Sequence, residues 1–218
     1  MFKRNRLFKN ATFLLIVFLI VIVVSNLYYR FTYPLSYKSL INNYAKEYNI
    51  DPYLIAAIIN VESNFNKNAL SSKEARGLMQ ISASTGEWAA RDLNIENFDL
   101  DLLFEPEINI RIGTWYLDQL TKEFGDNTQL ILAAYNGGSG NVNKWLKNQE
   151  YCDDGVSLKK IPFRETEEYV EKVLKNHNIY KKLYKGEFNG EMEDQEPYFL
   201  QIFHNFRKII KNLMVIVK

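Results

Sequence analysis

The 218-residue chain is poor in the residues that thiol, metal and triad chemistry draw on. Cys152 is its single cysteine, so no intrachain disulfide can form and a cysteine-based zinc site is excluded. The two histidines are His177 and His204, and no HExxH pair occurs. A Ser-His-Asp site would have to recruit one of them, and His177 falls in a helical run at a position read as solvated. No run of strand length alternates apolar and polar residues, which argues against a sheet. Acidic residues are missing from 1–33 and from 198–218.

What is present points to a folded chain with appendages. Apolar residues make up 47% and aromatics 14%, too much for a disordered protein. The net charge of +1 conceals three zones. Residues 1–33 hold five basic residues, and 198–218 hold four. Residues 34–197 hold 18 basic and 26 acidic residues, a net −8. A central domain this acidic is a poor polyanion binder, so nucleic acid is excluded as a partner.

Ala11 to Tyr29 carries no charge, and Phe13 to Val24 is unbroken apolar sequence. Lys3, Arg4, Arg6 and Lys9 precede it, which keeps the N-terminus in the cytoplasm and sends the rest outward. Tyr28, Tyr29, Phe31 and Tyr33 suit a membrane interface. The expectation is a single-pass anchor over 1–33 that crosses the bilayer through residues 11–29, with 34–218 outside the cytoplasm. A cleaved signal peptide and a buried core helix are the other readings.

The remaining pattern is helical. Ser36–Tyr48 repeats apolar residues at helical spacing, and Asp51-Pro52 reads as an N-cap followed by proline at the first position. Ser84-Thr85-Gly86-Glu87 reads as a capping box. Glu105–Phe124 and Thr166–Tyr184 carry apolar stripes, and Asn127 can cap QLILAAYN. GGSGNVNK lacks the spaced GKS or GKT and the preceding strand of a phosphate loop and is read as a turn between helices.

Within PYLIAAIINVE the acid is placed unusually. With Ile55 at zero and about 100° per residue, Ile58 falls at about −60°, Ile59 at about +40° and Glu62 at about −20°. Glu62 therefore lies on the apolar stripe, in the last turn of its helix. Burial and the negative end of the helix dipole both disfavour its charged form. A carboxyl still protonated near neutral pH can serve as a general acid. A structural glutamate bonded to a backbone donor is the alternative from wheel position alone.

The segments around Glu62 carry a resemblance. Glu62-Ser63-x-Phe65, Asn68-Ala69-x-Ser71 and Ala75-x-Gly77-Leu78-Met79-Gln80-Ile81 are followed by Asn109-Ile110-x-x-Gly113-x-x-Tyr116-Leu117. Ala134-Tyr135-Asn136-x-Gly138, Ile161-Pro162 and Glu165-Thr166-x-x-Tyr169-Val170 come next. In this order they resemble the signature of lytic transglycosylases with the goose-lysozyme-like (SLT) domain, over roughly residues 36–185. The resemblance implies an all-α, lysozyme-like catalytic domain over 34–185 behind the N-terminal transmembrane helix. Its substrate would be the peptidoglycan glycan strand, cut between N-acetylmuramic acid and N-acetylglucosamine, with no cofactor and no metal. Glu62 would be the single general acid and base. The sugar's 2-acetamido group would support the cationic centre, and its 6-hydroxyl would attack C1. A hydrolysing muramidase and an inactive membrane-anchored glycan-binding module are the competing functions.

By the same resemblance Ser71, Gln80, Tyr135, Glu165 and Tyr169 would contact the glycan. Met79, Gly77 and Asn136 would support the site structurally. Two departures stand out: Glu74 occupies a place where relatives usually have glycine, and Ser82-Ala83 replaces a common Met-Pro. Past the domain, residues 186–218 read as an acidic linker and a basic amphipathic tail. Phe199, Ile202, Phe203 and Phe206 share an arc with Ile209, Ile210 and Leu213 that faces away from Arg207, Lys208 and Lys211. That tail, 199–218, is expected either to lie on the lipid bilayer or to dock onto protein.

Overall fold

The computed structural model describes residues 2–188, and among them all regular structure is helical, with no β-strand. The chain divides into one compact unit that includes the residues up to Pro34 and a second that begins at Leu35.

The first unit contains α1, Phe2–Thr32. Within it, Thr12–Thr32 has a mean hydropathy of 2.4 over 21 residues. At about 1.5 Å per residue this is long enough to cross a hydrocarbon core of about 30 Å. The apolar side chains from Phe13 to Val24 are exposed, a costly arrangement in water that lipid would relieve. Tyr28, Tyr29 and Tyr33 form a ring cluster at its C-terminal end, with centroid separations of 6.0 and 6.3 Å.

The second unit is built from α2 (Lys38–Glu47), α3 (Pro52–Glu62), α4 (Ala83–Asp92), a 3-10 helix (Leu100–Phe104), α5 (Pro106–Phe124), α6 (Thr128–Gly137), α7 (Ser139–Leu146) and α8 (Arg164–Leu183). Each start has a local cause. Asp51 accepts the Tyr53 N–H at 2.9 Å and Pro52 opens α3. Asn127 accepts the Leu130 N–H at 3.2 Å and starts α6. The start of α4 differs from the capping box expected at Ser84. Ser82 is the cap, accepting the Thr85 N–H at 3.2 Å, so the helix begins two residues earlier. Ser82 is extended while Ser84 is already helical, and only an extended residue can aim its hydroxyl back at the first free N–H groups.

Every residue from Ile55 to Ile59 is buried. A helix apolar on all sides belongs at the centre of a domain, and α3 packs between α2 and α8. α8 also covers α6, while α5 lies against α2, α4, α6 and the 3-10 helix. His177 is not solvated as expected. Its Nε2 lies 2.8 Å from Asp51 Oδ2, which ties α8 to the cap of α3. Packing continues to Phe188, three residues past the anticipated end at 185. The Phe188 ring meets Tyr53 at 5.0 Å, and Glu187 pairs with Lys38 at 3.0 Å. The rest of the anticipated linker and the tail at 199–218 lie outside the described residues.

Between α3 and α4 the chain has no helix, and Asn109 of α5 holds it instead. Asn109 is fully buried. Its Oδ1 accepts the Met79 N–H at 2.7 Å, and its Nδ2 donates to Arg76 O at 2.9 Å and Leu103 O at 2.7 Å. Gly77 fits above it with φ +77°, where an added Cβ would collide with the Leu103 carbonyl and the Asn109 amide. Replacing Asn109 by alanine strands two carbonyls and one N–H in the interior. The expected cost is about 2–4 kcal/mol of stability, read from chemical denaturation. A variant as stable as the parent would show that these three bonds do not hold the loop.

Candidate active site

Glu62 is the last helical residue of α3, with Ser63 as its C-cap. The apolar centre of the domain delivers it to the start of a polar loop. Burial pushes its carboxyl up from the ordinary carboxylate range to about 7, against smaller opposing effects of the Tyr169 hydroxyl and the Lys172 ammonium. The chain turns sharply after it, with Asn64 at φ 55° and Phe65 at φ 60°. Two consecutive non-glycine residues in the left-handed region are costly, and side chains hold them there. Asn176 of α8 donates to Asn60 Oδ1 at 2.9 Å, and Asn60 donates to Asn64 Oδ1 at 3.0 Å. Phe65 anchors the turn by being buried.

Two tyrosines meet Glu62. Tyr169, from α8, is buried, and its hydroxyl faces the carboxyl without a hydrogen bond of ordinary geometry. Tyr135, from α6, lies close enough for the Glu62 charge to raise its own pKa, after the larger effect of burial. The Tyr135 hydroxyl donates to the Met79 carbonyl at 2.8 Å. Met79 is fully buried and packs on Gly113, where an added Cβ would collide with its sulfur. Asn109, Met79 and Tyr135 thus form one chain of contacts that ends beside the acid.

The other candidates are placed differently. Ser71 spends its hydroxyl on the loop, accepting the N–H groups of Lys73 at 3.2 Å and Ala75 at 3.0 Å. Gln80, at φ 49°, donates from Nε2 to Ala69 O at 3.1 Å and Gly77 O at 2.9 Å, closing the same loop. Glu74 adopts φ 62°, so the turn that glycine would make is kept here by a residue with a side chain. Glu165 is exposed on the first turn of α8, with Lys73 Nζ at 3.9 Å. A pair this exposed contributes about 1 kcal/mol or less. Asn136 is engaged structurally, accepting the Thr166 hydroxyl at 2.8 Å and joining α6 to α8. Among the described residues no group of three His, Cys, Asp or Glu side chains is gathered closely enough to hold a metal.

Lys172, Asn60 and Asn176 were not singled out from the sequence. Lys172 lies three residues after Tyr169 and so shares its face of α8, a spacing that could have drawn attention to it. The two asparagines gave no comparable signal, because their partnership spans 116 residues.

The raised Glu62 pKa has a consequence for stability. In the unfolded chain the carboxyl ionises at its ordinary value of 4.5, and in the native state at about 7. The unfolded state therefore sheds its proton first as pH rises, and native stability falls between these two values. The expected loss from pH 4.5 to 7 is on the order of 3 kcal/mol for this group. Glu62→Gln should remove that slope and be more stable than the parent at neutral pH. Urea denaturation of both proteins at several pH values measures it. Parallel stability curves for the two would show that Glu62 ionises normally.

Comparison with known proteins places this geometry in a family. Residues 39–155 match the family described as the transglycosylase SLT domain. Over 166 residues the chain is 36% identical to the soluble lytic murein transglycosylase of Salmonella typhimurium, covering 75% of this chain and 26% of that protein. It is 36% identical over 148 residues to the membrane-bound lytic murein transglycosylase E of Buchnera aphidicola, covering 65% and 68% of the two chains. Among solved structures it is similar to an inactive glutamate-to-glutamine mutant of the lytic transglycosylase Slt from Pseudomonas aeruginosa. The TM-score there is 0.63 with 32% identity, over 75% of this chain and 26% of that one. The chain thus spans about a quarter of the soluble relatives it matches. Its all-helical domain, with Glu62 at the end of a central apolar helix, belongs to the transglycosylase SLT domain family.

Proposed function

We propose that this protein is a membrane-anchored lytic transglycosylase that cleaves the β-1,4 bond between N-acetylmuramic acid and N-acetylglucosamine in peptidoglycan. The observation that carries the reading is the Glu62 carboxyl, held at a pKa of about 7 by burial inside the family's motif. Such a group is part protonated and part ionised at neutral pH, as a single acid and base must be.

The steps follow from that one group. Protonated Glu62 gives its proton to the glycosidic oxygen as the bond from that oxygen to C1 of the muramic residue breaks. Positive charge grows at C1, and the sugar's 2-acetamido group supports it. The muramic 6-hydroxyl oxygen then bonds to C1, and its proton passes to the Glu62 carboxylate. The acid is regenerated, and the products are a 1,6-anhydromuramic end and a free 4-hydroxyl. No water is consumed. A single carboxylate serves both steps in this reading, and no second carboxyl is assigned to position a hydrolytic water. An attacker already attached to the sugar also has a large advantage over bulk water.

In this reading Tyr135 and Tyr169 flank the reacting sugar. The unpartnered Tyr169 hydroxyl has a hydrogen bond to give once the substrate or a shifted carboxyl arrives. Glu165, exposed on α8 and paired with Lys73 of the loop, is assigned a contact with the glycan strand in the same reading. Ser71 and Gln80 shape the loop wall and meet the glycan only through atoms left over from their backbone bonds.

Glu62→Gln should cut wall-clearing activity by at least about 10²-fold. For the parent, kcat/KM should fall as pH rises past about 7, because the proton donor is lost. Mass spectrometry of digested sacculi should find muropeptides one water lighter than hydrolytic products. A digest of hydrated, borohydride-reducible ends would instead identify a muramidase. No cleavage by the parent would leave a glycan-binding module.

The anchor reading assigns α1 to the bilayer, with Lys3, Arg4, Arg6 and Lys9 on the cytoplasmic side. External protease should digest residues 35–188 in spheroplasts, and the membrane fraction should hold a chain of full mass. A shorter, freely released chain would mean that α1 is a cleaved signal.

A further inference from the structure

Four large apolar side chains of the catalytic unit are exposed among the described residues: Leu70, Trp88, Val156 and Phe163. Trp88 differs from the others in how it is held and in what it adjoins. It stands on α4 with 42% of its surface exposed. Its ring meets Trp115 edge to face at 4.7 Å and 74°. Trp115 is buried and fixed in turn, donating from Nε1 to Asp92 Oδ2 at 3.2 Å. The exposed indole is therefore braced on a rigid base.

The ring is also continuous with the candidate active site. Trp88 lies 6.2 Å from Tyr116, again edge to face at 79°. Tyr116 lies 5.5 Å from Tyr135, and Tyr135 is the neighbour of Glu62. Aromatic side chains thus step from the acid out to the surface on α4. A partly exposed indole in water is unfavourable, and a rigid aromatic loses little entropy when something covers it. A pyranose ring suits such an exposed aromatic surface. Its axial C–H groups form a flat apolar surface, while its hydroxyl and acetamido groups lie around the edge and stay wet.

We propose that Trp88 is a sugar-stacking subsite, which takes an N-acetylhexosamine residue of the glycan strand beyond the linkage that Glu62 cleaves. The proposal rests on the reading of Glu62 as acting on a glycan, and it adds where the strand runs: from the acid past Tyr135 and Tyr116 and over α4. Trp88 binds and positions there, and it donates no proton.

Binding is tested in the full-length Glu62→Gln chain in detergent, which prevents turnover, with the N-acetylglucosamine hexamer as probe in titration calorimetry. Adding Trp88→Ala should raise the Kd about tenfold, and adding Trp88→Tyr should change it by less than about threefold. In the otherwise wild-type chain, Trp88→Ala should raise KM on isolated glycan strands and leave kcat within about twofold, since uniform binding energy is what is lost. Unchanged hexamer affinity in a folded Trp88→Ala protein would overturn the proposal. Equal losses in the alanine and tyrosine variants, together with a lowered thermal midpoint, would also overturn it and assign Trp88 to packing alone. Equal clearing of sacculi by the parent and by Glu62→Gln would refute the role of Glu62, while the hexamer titration would still report on Trp88.

Discussion

Keeping a carboxyl at the end of an apolar helix, where water is too scarce to stabilise its charge, is the constraint on which the rest of this domain depends. α3 is buried from Ile55 to Ile59, and Glu62 is its last residue. The same packing that makes α3 the centre of the domain makes ionisation of Glu62 unfavourable. Core formation and site chemistry are one event here. A looser core would hydrate the carboxyl and return it to the ordinary range.

The surrounding architecture keeps that position narrow. The chain must leave the domain centre immediately after Glu62, and it does so through two left-handed residues, Asn64 and Phe65. The Asn176–Asn60–Asn64 relay ties this turn to α8, the helix that also supplies Tyr169 and Lys172. On the other side, Asn109 fixes the backbone of Met79, whose carbonyl receives Tyr135. Buried polar groups are costly unless satisfied, so each of these links specifies one arrangement and disfavours its neighbours. Four of the eight non-glycine residues at positive φ among the described residues, Asn64, Phe65, Glu74 and Gln80, lie in the loop that follows Glu62.

Much of this was legible before folding was considered. Helical periodicity located α2, α3, α5 and α8 within a few residues, and cap residues marked Asp51 and Asn127 correctly. These signals are local, and local preferences survive into the tertiary structure when packing agrees with them. The wheel position of Glu62 was also informative, because a charged residue on an apolar stripe is a conflict that the fold has to resolve. Where two adjacent segments could serve the same purpose, the local signal failed. Ser82 and Ser84 are both serines ahead of a helical run, and only the path of the loop after Gln80 decided which became the cap.

The sequence by itself determined an all-helical chain, an apolar N-terminal segment of membrane-crossing length, and a glutamate forced onto the apolar face of a short helix. Each depends on spacing along the chain. Tertiary structure alone decided that His177 would pair with Asp51, and that Gln80 would turn its amide on its own loop. It also decided that Tyr169 would hold an unpartnered hydroxyl toward Glu62, and that Trp88 would stand braced and open beside Tyr116. These depend on which polar groups the fold leaves within reach of one another. Hydrogen bonds and ring contacts act over a few ångströms in space, and the fold brings together residues separated by up to 149 positions in the chain.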